Sequence, residues 1–121
     1  MAHIKIGKIS NHLSHVLGRP DLSNIEVFLG TSNIAHMKSA HPNDYAMYSP
    51  YIKEILKNPD VACINPKDNS IELVKEFKIG PEYIKLALRL SSSGTLFARS
   101  LYKLNNNRVK NYIAKGTLKK V

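Results

Sequence analysis

The sequence predicts an α+β fold, with helices first and a meander of strands after them. Three observations carry this. Apolar residues recur at helical spacing in the first half, the period shortens to two in the second half, and charged residues occupy alternate positions of the later segments. Such alternation implies a sheet with one solvated face, which antiparallel sheets permit and buried parallel sheets do not. With 121 residues, the chain is expected to form one domain, 1–121, with a single core.

Ile6, Ile9, Leu13, Val16 and Leu17 recur at helical spacing, which predicts a short helix over Ile4–Val16, ended by Gly18-Arg19-Pro20-Asp21. His12 and His15 share a face there and are read as surface or packing residues. Ile25–Leu29 is a short strand. It runs into Gly30-Thr31-Ser32-Asn33, where Thr31 or Ser32 suits the cap of a helix reaching Ala40. His41-Pro42-Asn43-Asp44 breaks that helix, because a residue before proline is pushed out of the helical region. Ser49-Pro50 supplies a hydroxyl cap and a proline at the first helical position. Ile52, Ile55 and Leu56 form the stripe of that helix, and Asn58-Pro59-Asp60 stops it.

Strands are expected at Val61–Ile64, Ile71–Phe77, Tyr83–Leu90 and Leu96–Leu104, with turns at Asn65–Asn69, Gly80-Pro81 and Ser91–Gly94. In the third strand Ile84, Leu86, Leu88 and Leu90 share one face, and Tyr83, Lys85, Ala87 and Arg89 the other. In the last, Leu96, Ala98, Ser100 and Tyr102 are expected to share a face. Asn106–Lys120 is very basic and is expected to hold a short helix through Val109, Tyr112 and Ile113, ending at Gly116.

Lysine and arginine number 18 against 9 acids, a formal charge of +9. A polyanion is the natural partner of that surface, with a nucleic-acid backbone first and an anionic membrane surface second. Cys63 is the only cysteine, which excludes an intrachain disulfide and a thiolate metal cluster. Its setting, Val61-Ala62-Cys63-Ile64, reads as a buried strand with the thiol as small apolar filler. No apolar run approaches the ~20 residues that span a bilayer, and MAHIKIGKIS lacks a signal core, so action in a cytoplasm without membrane association is the expectation. Isolated glycines such as Gly30 and Gly94 build no phosphate-binding loop, and no cofactor is expected.

The densest polar cluster is His36-Met37-Lys38-Ser39-Ala40-His41-Pro42. On a continuous helix His36 and His41 would lie about 140° apart around the axis, and a break before Pro42 would let His41 swing inward. Paired imidazoles beside a cation suit RNA cleavage: one takes the proton of a 2′-hydroxyl, and the other protonates the departing 5′ oxygen. A packing histidine and a loop histidine fit the same pattern. A metal site fits less well, because only Asp44 adds a carboxylate and catalytic metals generally take three protein ligands. Arg89 and Arg99 are candidate phosphate grips, and Ser100 with Tyr102 offers hydroxyls and a stacking ring. Each of these also suits an ordinary solvated strand. Tyr45, Tyr48 and Tyr51 read as packing aromatics with polar tips.

The stretch from Phe28-Leu29-Gly30-Thr31 through His36 to His41-Pro42 resembles the strand-then-H-I-x-x-x-H-P signature of phage-associated nucleases of the barnase–EndoU–colicin E5/D–RelE (BECR) superfamily. Ile55-Leu56-Lys57-Asn58-Pro59-Asp60 is similar to that family's I-L-x-N-P-D, and looser likeness continues at Leu88-Arg89-Leu90, Ser100-Leu101-Tyr102 and Tyr112–Gly116. The resemblance covers about residues 25–116. It implies helices packed on a curved antiparallel sheet of about four strands, barnase/RelE-like. It also implies metal-independent endoribonuclease activity of a toxin-like kind, leaving a 2′,3′-cyclic phosphate, with RNA, tRNA among the candidates, as substrate and an acidic antitoxin or immunity protein as partner. In that reading His36 and His41 are the acid/base pair, and Arg89 and Tyr102 contact the phosphate. Lys38, Arg99 and Ser100 bind substrate, with Ser100 standing where relatives usually carry threonine. A non-enzymatic RNA- or DNA-binding module and a protein-interaction domain are the alternatives.

Overall fold

In the computed structural model the described residues are 3–78 and 82–121, so the expected Gly80-Pro81 turn lies outside them. The first half runs β1 (His3–Lys8), α1 (Asn11–Val16), β2 (Glu26–Gly30), α2 (Thr31–Ala40), α3 (Pro42–Tyr48) and α4 (Ile52–Lys57). The second half runs β3 (Val61–Ile64), β4 (Ile71–Phe77), β5 (Glu82–Leu90), β6 (Leu96–Leu104), α5 (Asn106–Ala114) and β7 (Lys119–Lys120). The α+β class holds, and the strands β3 to β6 fall where the alternation predicts them. Among the described residues their sheet is larger than expected: seven strands in the order β1-β2-β6-β5-β4-β3-β7, not about four. Nor is it wholly antiparallel, because β2 lies parallel to β6 at Val27↔Leu96 and Phe28↔Phe97.

The largest departure from expectation is at the N-terminus. Ile6, Ile9, Leu13 and Leu17 are buried as predicted, but the first lies on a strand and only the later two sit in or directly after a helix. Only Ile6 lies within the strand, so spacings of three, four and four fit one helix as well as a strand end followed by a helix, which is why periodicity alone misread it. The strand register skips between Lys5 and Gly7, and Gly7 has φ +154, where glycine is favoured. A Cβ at Gly7 would come within 2.8 Å of Leu56 Cδ2, so α4 packs directly on this backbone. Ser10 then caps α1, its Oγ accepting the Leu13 N–H at 3.0 Å.

Gly30, rather than Thr31 or Ser32, is the cap of α2, and Asn33 Oδ1 accepts the Gly30 N–H at 2.9 Å. His41 ends α2 with φ −141 and ψ 70, the extended backbone that Pro42 imposes. Pro42 then occupies the first position of α3, so the break starts a new helix at once. Ser49-Pro50 opens a 3₁₀ turn leading into α4 and makes no side-chain cap.

The main core joins Leu13, Met37, Ile52, Ile55 and Leu56 from the helices to one sheet face, including Leu73, Leu86, Leu88 and Leu101. The opposite face is not uniformly solvated. At one end α5 covers it, burying Val109 against Val61, Val74 and Leu118, with Leu104 and Ile113 alongside. The other end stays open. Among the described residues no helix is long and apolar enough to cross a membrane.

Candidate active site

The uncovered end of the second sheet face forms an open cleft of about 310 Å³. Ser100 and Tyr102 of β6, Arg89 of β5, Asp68 of the β3–β4 turn and His36 of α2 line it, together with Arg99. Arg99 arrives there through a β-bulge. Ala87 pairs with Ser100 and Leu88 with Ala98, so Arg99 is the extra residue of β6. The bulge also corrects the expected face assignment. Leu96 and Ala98 point into the main core at 1% and 0% exposure, whereas Ser100 and Tyr102 line the cleft. One inserted residue reverses the alternation.

Glu72 of β4 and Lys85 of β5 sit on the cleft floor as an ion pair of 3.3 Å, with side chains only 18% and 14% exposed. The Glu72 carboxylate also accepts from Asn65 Nδ2 at 3.3 Å and from the Cys63 thiol at 3.5 Å. Burial pulls the Lys85 ammonium toward its neutral form, but contact with the Tyr102 hydroxyl and with Glu72 outweighs it, and the pKa is raised. The Lys85 Nζ lies 4.6 Å from the Tyr102 ring centre. On the other flank of β6, the His41 ring stacks on Tyr102 at 4.6 Å and 25°. Asp44, at the start of α3, accepts the Lys103 backbone N–H at 3.0 Å. That bond ties the His41-Pro42 corner to β6.

The β3–β4 turn is built by its own side chains. Asn65 Oδ1 accepts the Lys67 N–H at 2.9 Å, and Asp68 Oδ1 accepts the Ser70 N–H at 3.0 Å. Hydrogen bonds from Ser70 hold the Asp68 carboxyl below its ordinary pKa, and the charge of Arg89 adds to the effect. The cleft therefore mixes signs, with Glu72 answered by Lys85 and Asp68 by Arg89, while Arg99 is in no ion pair among the described residues.

A sequence model of the phage-Barnase-EndoU-ColicinE5/D-RelE like nuclease3 family matches residues 4–111. The chain belongs to this family. No curated protein and no solved structure matches the chain.

In this BECR-superfamily nuclease the residues expected at the site are thus partly gathered. His36, Arg89, Arg99, Ser100 and Tyr102 line one cleft. His41 is exposed and reaches that group through Tyr102, not through the cleft lining itself. Lys38 lies apart, its Nζ 5.8 Å from the Tyr45 ring centre. Sequence reasoning placed Lys85 on the solvated face but gave it and Glu72 no role. Their alternation with Ile71, Leu73 and Ile84 was the available signal. The signal that unites them is strand register, with Lys85 opposite Tyr102 and Glu72 opposite Ala87, and composition does not encode that. Among the described residues no three His, Cys, Asp or Glu side chains cluster as a metal would require.

Proposed function

We propose that this nuclease is a metal-independent endoribonuclease that cuts by internal transesterification. The observation that carries the reading is that His36, Arg89, Arg99, Ser100 and Tyr102 line one cleft, with His41 stacked on the Tyr102 ring. His41 takes the proton of a 2′-hydroxyl, whose oxygen then attacks the adjacent phosphorus. The P–O5′ bond breaks, and His36 gives its proton to the departing 5′ oxygen. The products are a 2′,3′-cyclic phosphate and a free 5′-hydroxyl. Arg89 and Arg99 bind the phosphorane oxygens, where charge accumulates. Ser100 and Tyr102 supply hydroxyls to the phosphate, and Lys38 adds positive charge on the flank.

Cleavage of a 3′-labelled RNA in excess EDTA is the expected result, with a 5′-hydroxyl on the labelled fragment and the cyclic phosphate on the other. His36→Ala and His41→Ala should each cut at least ~100-fold more slowly at unchanged stability, in keeping with the usual worth of a positioned acid or base. Undiminished cutting by both variants would sink the assignment. On a substrate with an activated leaving group, only the His36 variant should recover.

A second reading arises because Glu72 lines the cleft together with His36, whereas His41 does not. Glu72 would then be the base, and Glu72→Gln rather than His41→Ala would abolish cutting. We favour His41 because Cys63, Asn65 and Lys85 already occupy the Glu72 carboxylate.

We extend the reading to a toxin-like role in a cytoplasm, with RNA (tRNA among the candidates) as target; the +9 charge, which suits a polyanion, and the nuclease family support it. An acidic neutralising protein is the matching partner, and its co-purification is the test. Salt-sensitive RNA binding with no cleavage of any RNA class would instead indicate a binding module.

A further inference from the structure

A second cavity, of about 400 Å³, adjoins the cleft between β3–β4 and α5. Asn65, Glu72, Lys85 and Tyr102 line both, so the two are neighbouring halves of one depression with the Lys85–Glu72 pair on the divide. Their chemistry differs. Beyond the divide, Val74, Leu104 and Leu118 make an apolar floor, Tyr112 an aromatic edge, and Lys67 and Arg108 a cationic rim. That is the make-up of a site for a ligand with one flat apolar part and one anionic part.

The backbone behind the aromatic edge is held. The Tyr112 carbonyl accepts the N–H groups of Thr117 at 2.9 Å and Leu118 at 3.1 Å as the chain turns from α5 into β7. Tyr112 nevertheless stays 40% exposed. Neither Lys67 nor Arg108 is in an ion pair among the described residues. An exposed ring on a held backbone, beside free cations, is how proteins stack a base while gripping its phosphate.

We propose that the second cavity holds a base of the same single-stranded RNA whose scissile phosphate occupies the cleft. Tyr112 stacks on the base, and Arg108 and Lys67 hold the phosphate on its outer side. This rests on the RNA reading above and adds to it the residues that read a nucleotide away from the cut. Arg108 and Tyr112 are surface residues, so their replacement leaves the core intact.

The test uses the full chain and 2′-O-methyl oligonucleotides of one to four nucleotides, which bind but lack the hydroxyl needed for cleavage. One added nucleotide should tighten binding about tenfold, the usual worth of one stacked base. An abasic residue at that position, or Tyr112→Ala, should remove the gain, and Tyr112→Phe should keep it. Arg108→Met should reduce the slope of log affinity against log salt by about 0.7. An equal gain in wild type and Tyr112→Ala, an equal gain from the abasic residue, or no binding of any oligonucleotide would overturn the proposal. Failure of the nuclease reading looks different: the stepwise gain persists, and unmodified RNA is not cut.

Discussion

Tyr102 is approached from both flanks of β6, by the Lys85 ammonium on one side and the stacked His41 ring on the other. Its ring and its hydroxyl therefore have separable duties. Tyr102→Phe keeps the surface against which His41 rests, and Tyr102→Ala removes it. We expect kcat to fall about 100-fold or more for Ala and about tenfold for Phe, because loss of orientation costs more than loss of one phosphate contact. Equal losses in single-turnover assays would assign the effect to the hydroxyl alone. The Lys85–Glu72 pair makes a stability prediction on the same floor. With side chains 14% and 18% exposed, removing one partner strands a largely buried charge. Lys85→Met should cost about 2–4 kcal/mol by urea denaturation, and adding Glu72→Gln should restore much of it. Additive losses in that cycle would show that the two groups do not depend on each other.

At the scale of elements, α3 matters through its first turn. Beyond the short contact with β2, the edge of β6 offers an unpaired Lys103 N–H, and Asp44 takes it. Asp44→Ala should cost about 1 kcal/mol of stability, modest because the contact is exposed. Activity should fall further than stability accounts for, since the His41-Pro42 corner loses its tether. Asp44→Asn, which keeps an acceptor, should retain most of both. A loss of activity no larger than the loss of folded protein would rule out the tether.

This is also the scale at which the sequence was most and least legible. Strong alternation placed β3 to β6, and proline placed the corner at His41. Three features escaped for physical reasons. Ile6, Ile9 and Leu13 satisfy a strand followed by a helix as well as one helix. The Arg99 bulge leaves no compositional trace, yet it turns Ser100 and Tyr102 away from the face of Leu96 and Ala98. The two-residue β7 is set by where the chain returns after Gly116, beside β3, and not by its own sequence of two lysines. At the candidate site, His36 and His41 could be picked out in the chain, but what gathers around Tyr102 depends on register.

Across the whole molecule, alkaline pH should act on the sheet face that carries both cavities. Burial, with Glu72 alongside, pushes the Cys63 thiol from its ordinary 9.0 up to about 12. Burial and then Glu76 raise the Tyr83 phenol, and Lys85 is raised as well. All three shifts have one sign. Below pH 9 the folded and unfolded thiols are both protonated, and Cys63 exerts no pH effect. Above it the unfolded chain gives up the proton while the folded chain keeps it, so stability drains away until the folded thiol ionises near pH 12. The tyrosine and the lysine add to the fall above their own ordinary values. The slope from Cys63 is at most about 1.4 kcal/mol per pH unit, and solvent reaching the sulfur narrows the window over which it acts. Urea midpoints at pH 7, 9, 10 and 11 should therefore be flat at first and then decline. Cys63→Ala should delay the decline, because the tyrosine and lysine shifts remain. Should the alanine variant instead track the wild type between pH 9 and 10, where the thiol acts before the other two, the burial argument for this face would fail.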